Sequence, residues 1–219
     1  MEAHADLDIR VPAGRTLLVY LAAGDVAVSN VDGELVVSAG SADVRSEATS
    51  GGLILDTGSG DVEVDGAQGK VLVDTGSGDV GVRDISGPEL NVDTGSGDVG
   101  GSGVTVSELN VDTGSGDVGL SGVEASEVSV DTGSGNVGLA FRASPAEVSV
   151  DTGSGDVTLR MPPSWTADIE LNTASGEIES EFEMMLEEMT DDYVRGRIGA
   201  GGGSLEVDTG SGDIALKKS

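Results

Sequence analysis

The run VDTGSGDV at 73–80 returns along the chain at a nearly fixed interval, and this recurrence limits the fold more than any other feature. Copies begin at Asp56, Asp74, Asp93, Asp112 and Asp131, spaced 18, 19, 19 and 19 residues apart. Asp151 and the variant Asn172 follow after 20 and 21 residues, and Asp208 opens the last copy after 36, twice 18. Two weaker copies come first, YLAAGDV at 20–26 and SAGSADV at 38–44. That makes ten copies, with room for one more coil in the long gap. A short fixed period of this kind is the mark of a stacked-repeat architecture.

Each unit reads apolar-x-apolar, then the Asp-Thr-Gly-Ser-Gly-Asp turn, then apolar-x-apolar. In ELNVDTGSGDVGL, Leu109 and Val111 alternate with polar residues, as do Val118 and Leu120 after the glycines. Alternation this short, punctuated by glycine, is that of a half-buried strand. The first phase carried forward places Thr113 and Ser115 inward. The second apolar pair is out of phase with the first, so the chain bends near Gly114–Gly116. One unit cannot bury its apolar pair alone, but stacked on like units at ~4.8 Å it can.

The expected fold is therefore all-β, a right-handed parallel β-solenoid of about 18–21 residues per coil and ten to eleven coils. It is a single domain over 1–219, with a cap and first turn at 1–18 and regular coils over 20–178. A divergent stretch at 179–203 and a last coil at 204–219 complete it. Aromatic residues make up only 2% of the chain, which suits a narrow aliphatic interior. EFEMMLEEM at 181–189 could be a short helix, but YVRGRIG alternates like a strand, so 180–203 reads as a divergent coil or hairpin covering the C-terminal end. Residues 1–18 would cover the other end, and Lys217 and Lys218 would discourage addition at a final rung.

The net charge of −29, from 40 acidic and 11 basic residues, repels nucleic acid and anionic membrane surfaces. The chain has no cysteine, so thiol chemistry and disulfides are out. No apolar run reaches the ~18 residues of a membrane span, and the N-terminus lacks a signal-peptide layout. The sequence reads as a soluble chain without export signal, cytoplasmic as written.

The recurrent TGSGDV turns, NTASGEI at 172–178 and the block VRGRIGAGGGSLEVDTGSGDIAL at 194–216 resemble the bacterial β-strand-repeat family DUF4097, whose members are described as adhesin-like and as toastrack-type domains. The opening IRVPAGRTLLVYLAAGDVAV is similar to the family's first coil. The resemblance covers nearly the whole chain and implies the repetitive β fold. It implies no catalytic residue, and it points to exported or envelope-associated relatives.

Asp-Thr-Gly-Ser is also the tetrapeptide of pepsin-like proteases, which need two aspartates sharing a proton in one cleft. Here it recurs along one face, and Asn172 replaces the aspartate without disturbing its unit. The turn explains it better: Asp74 and its equivalents take backbone N–H groups, Thr and Ser stack inward, and Gly supplies the bend.

Stacking creates two acidic rows. One is Asp56, Asp74, Asp93, Asp112, Asp131, Asp151 and Asp208, interrupted by Asn172; the other is Asp61, Asp79, Asp98, Asp117, Asp156, Glu177 and Asp213, interrupted by Asn136. Calcium bound along them would relieve repulsion of about 0.8 kcal/mol per pair in water. One row alone falls short of calcium's six to eight oxygens, and a solvated acidic face is the simpler reading. A solvent-facing Thr-x-Ser ladder would suit ice binding, but the strand phase turns it inward.

His4 stands alone, Trp165 is expected over the outer edge of a coil, and Arg195 and Arg197 alternate outward toward acidic neighbours. No catalytic, cofactor or metal residue is expected, and no cofactor, with calcium the only candidate. The functional expectation is a non-enzymatic scaffold or interaction module meeting an unknown protein or envelope component, without nucleic acid or membrane insertion. The alternatives are a calcium-dependent surface or adhesion protein and a polysaccharide-binding or lyase-like solenoid.

Overall fold

Residues 8–219 are described by a computed structural model; His4 and its neighbours lie outside the described residues. Strands come in pairs joined by the glycine turns. The first four are β1 (Leu17–Ala23), β2 (Val26–Ser29), β3 (Leu35–Ser41) and β4 (Val44–Glu47). Then come β5 (Leu53–Thr57), β6 (Val62–Asp65) and β7 (Val71–Thr75), and two long strands that run through a corner, β8 (Val80–Thr94) and β9 (Val99–Thr113). The stack continues with β10 (Val118–Val123), β11 (Glu127–Thr132), β12 (Val137–Phe141), β13 (Glu147–Thr152) and β14 (Val157–Met161). The last six are β15 (Ala167–Thr173), β16 (Ile178–Ser180), β17 (Met184–Met189), β18 (Tyr193–Ile198), β19 (Ser204–Thr209) and β20 (Ile214–Lys218).

Parallel pairing in register builds the solenoid. Leu17 lies beside Leu35, Leu35 beside Leu53 and Leu53 beside Val71, each 18 residues on. The step grows to 19 between β8 and β9 and to 20 between β11 and β13. The second sheet runs β2–β4–β6–β8–β9–β10–β12–β14, also parallel. A narrower third side is held by the bridges Asp32–Ser50, Ser50–Gln68 and Gln68–Ser86. The interior between them is the aliphatic filling the composition implied, with Leu35, Val37, Val62, Val64, Leu109, Val111, Val118 and Leu120 all buried. Each buried aliphatic side chain contributes about 1.5–3 kcal/mol.

About eight turns follow one another in chain order, from β1 to β14. The count falls short of the expected ten to eleven coils because the chain then departs from simple winding. Strand β19 pairs with β13 on one side and β15 on the other, and β20 lies between β14 and β16. The coil last in sequence is thus inserted one rung before the end of the stack. Lys217 and Lys218 lie inside this rung and guard no edge, contrary to expectation. Asn172 pairs with Asp208 beyond the end of the aspartate series, so it terminates the row instead of interrupting it.

The reversal is made by the 180–203 segment, which is a hairpin without helix. Strand β18 runs antiparallel to β15, and β17 antiparallel to β18. Trp165 is buried at this end, its indole Nε1 donating to the Pro145 carbonyl and its ring edge-on to Phe182 at 6.1 Å. The expected outer-edge position fails because Phe182, in the segment that follows β16, and the Pro145 carbonyl enclose the ring.

Candidate functional site

The repeated turn is the natural place to look for chemistry. Its threonine points inward: Thr57, Thr75, Thr94, Thr113, Thr132, Thr152, Thr173 and Thr209 are buried. Each hydroxyl from Thr75 onward donates to a glycine carbonyl one rung away, such as Thr113 to Gly97 at 3.3 Å and Thr132 to Gly116 at 3.3 Å. The serine does not follow. Ser77, Ser96, Ser115 and Ser134 are exposed, because the chain turns at the first glycine and breaks the strand phase. Gly78 shows why glycine follows: its φ is +144°, and a Cβ there would lie 2.1 Å from the Gly60 carbonyl oxygen.

The two acidic rows have different roles. The row after the glycines forms a ladder along the axis. Asp43 accepts from the N–H of Asp61 at 3.0 Å, Asp61 from Asp79 at 2.9 Å, Asp79 from Asp98 at 2.9 Å and Asp98 from Asp117 at 2.8 Å. Asp117 serves Asn136, whose side-chain oxygen serves Asp156, and Asp156 serves Asp213. Asp213 finally accepts from Glu177. These exposed backbone donors are met, except at Asn136, by anionic acceptors, which make the stronger hydrogen bonds.

The row before the threonine, expected to take backbone groups, instead points outward into solvent. Among the described residues its hydrogen bonding is confined to Asn172 donating to Asp208. Partial burial, and then the charges of Asp112 and Asp74, raise the Asp93 carboxyl above the ordinary aspartate value. Burial, Asp112 and Asp151 do the same to Asp131. Asp74 is one of this stacked series, with Asp56 and Asp93 as its neighbours on either side. Among the described residues no three histidine or acidic side chains converge in a way that could hold a metal ion.

The second sheet presents a surface of another kind. Its outward positions carry Gly81 and Arg83 on β8, Gly100 and Ser102 on β9, Gly119 and Ser121 on β10, and Gly138 and Ala140 on β12. Thr158 and Arg160 on β14 and Ala215 and Lys217 on β20 continue it. No carboxylate stands on these positions, and the stretch is bounded by Glu63 and Asp65 of β6 beside Gly81 and Arg83 and by Glu179 of β16 beside Ala215. Among the described residues Arg83, Arg160 and Lys217 make no ion pair, whereas Arg45, Arg142, Arg195 and Arg197 each meet a carboxylate. A Cβ on Gly100 or Gly119 would touch nothing within 4 Å, and on Gly138 only a carbonyl at 3.9 Å. The fold does not need glycine there. Sequence reading missed this face because it followed the turn motif, while the signal sits at the residue after Val in GDVG.

Arg195 lies 3.5 Å from Glu187 and Arg197 2.6 Å from Asp168, the acidic pairing expected of them. Comparison with curated proteins and with solved structures found no match. A family model, described as Toastrack DUF4097, matches residues 5–217. That span takes in the turns, the threonine and aspartate ladders and the inserted last coil, and the chain belongs to the Toastrack DUF4097 family.

Proposed function

We propose that the protein is a non-enzymatic rigid scaffold that presents the carboxylate-free stretch of its second sheet, from β8 to β14, to a partner protein, in the manner of an adhesin-like or envelope interaction module. The observation that carries this reading is the run of glycines at 81, 100, 119 and 138. Glycine inside a strand weakens it, and where its own backbone has no need of it, it marks a close approach by another chain. Here four stack on adjacent rungs with open space above two of them and only loose contacts at 3.8–3.9 Å above the others, bordered by Arg83 and Arg160. The acidic rest of the surface would repel most proteins and steer a partner to this side.

The test compares three proteins as bait: the native chain, Gly100→Glu/Gly119→Glu, and a control altered on the other sheet, Asn110→Lys/Ser129→Lys. A binder retained by the native chain and the control but lost with the glutamates supports the reading. Binding indifferent to the glutamates, or lost only in the control, overturns it.

A further inference from the structure

Among the described residues, the N-terminal end of the stack is open. Strands β1 and β2 pair only inward, with β3 and β4, and their outer backbone edge is free among the described residues. Leu17, Val19, Leu21, Val26, Val28 and Val31 line up with buried residues of the next rungs but are themselves only half-buried. They line a concavity of about 710 Å³ that residues 8–13 only partly cover. Above it Tyr20 is 73% exposed and Leu18 54% exposed. Among the described residues, this is the cross-section of the core left without a covering rung.

We infer that this end binds a second copy of the chain, head to head, with β1 antiparallel to β1 of the other copy. Three observations select that occupant. First, charge: of the two ends of the stack, a copy carrying −29 meets less repulsion at this one. Residues 8–34 hold two arginines against four carboxylates, and the outward row beside the end is Leu18, Val36, Ile54 and Leu72. The opposite end carries Glu187 and Glu188 on exposed β17 and Glu183 just before it, so two such ends repel.

Second, parity. An antiparallel pair centred on Tyr20 sets Val19 opposite Leu21 and Leu17 opposite Ala23, so inward residues face inward residues across the joint. The two half-covered core sections then close on each other. Third, complementarity. The same register brings Arg15 of each copy to Asp25 of the other, and both side chains are exposed and without an ion pair among the described residues. Because the contact is twofold, it closes at two copies and does not propagate into a fibre.

This inference concerns the end of the rod and stands apart from the proposed sheet-face partner. The test is sedimentation velocity of the full chain across a wide concentration range, joined to cross-linking. The native chain is expected to pass from monomer to dimer. Arg15→Glu should weaken the dimer by about tenfold or more, and Arg15→Glu/Asp25→Arg should restore it, as for a close interfacial charge pair. Since the chain has no cysteine, Tyr20→Cys should form a disulfide-linked dimer under mild oxidation while Met185→Cys stays monomeric. A native chain monomeric throughout, or Tyr20→Cys linking no faster than Met185→Cys, overturns the inference. So does preferential linkage of Tyr20→Cys to Met185→Cys in a mixture, which would mean head-to-tail contact.

Discussion

The side-chain carboxylate of Asp79 accepts the backbone N–H of Asp98, 2.9 Å away on the next rung. The motif's most conspicuous acid is therefore a link between coils. Asn136 shows what the link requires, since its amide oxygen accepts from Asp156 at 2.9 Å equally well. Asp79→Asn should leave stability unchanged or slightly higher, while Asp79→Ala removes an exposed hydrogen bond between rungs and should cost about 0.5–1.5 kcal/mol. Urea unfolding midpoints of the two variants check this.

Thr113 is buried and donates to the Gly97 carbonyl. Thr113→Val keeps the volume and removes the donor, which should cost about 1 kcal/mol, and Thr113→Ala should cost more because a void is added. The ordering of three unfolding curves tests it; a Val variant as stable as the native chain would mean the hydroxyl contributes nothing to the ladder.

Asp93 and Asp131 should each add stability as the protein is acidified from neutrality. The folded-state values of Asp93 and Asp131 are raised by burial and by their charged neighbours. The folded chain thus binds protons more readily than the unfolded one, and stability rises as pH falls through the folded value, levelling off below the unfolded value. Asp131→Asn should raise the melting temperature at pH 7 and shrink the difference from the native chain near pH 4.

Screening should act on the same row. Melting temperature is expected to climb with ionic strength, and calcium chloride to match sodium chloride at equal ionic strength, since no group of carboxylates converges on one ion. A calcium-specific rise, read by scanning calorimetry with EDTA as reference, would instead indicate sites in the folded state.

Two glycines should respond oppositely to alanine. Gly78→Ala forces a side chain into a left-handed conformation and onto the Gly60 carbonyl, and should cost at least about 1–3 kcal/mol. Gly100→Ala enters open space in a strand and should gain about 0.5–1 kcal/mol. Chemical denaturation of both separates glycine kept for the backbone from glycine kept for the surface.

Much of this was legible in the sequence, because in a solenoid the interval between equivalent residues is the register itself. Asp56, Asp74 and Asp93 are neighbours in space because they are 18 and 19 apart. Strand alternation likewise placed Leu109, Val111 and Thr113 inside. Legibility ended where the backbone leaves the strand. Past Gly114 the phase no longer predicts direction, so Ser115 was expected inside and lies outside. Spacing also could not tell which carboxylate aims along the axis and which into solvent. Nor could it place the rung of Asp208, because a hairpin between two repeats lets the chain return to an earlier level.

That returning rung bears on how the molecule is made. Strands β19 and β20 are synthesised after β15 and β16, yet they occupy the level between those strands and β13 and β14. Assembly that simply wound upward as the chain lengthened would bring β15 against β13 and close the gap. Residues 167–198 must instead wait, or be displaced, until the later segment arrives. The earlier turns can zip as they emerge, and the top of the rod is set only when a piece made later slots in beneath one made earlier.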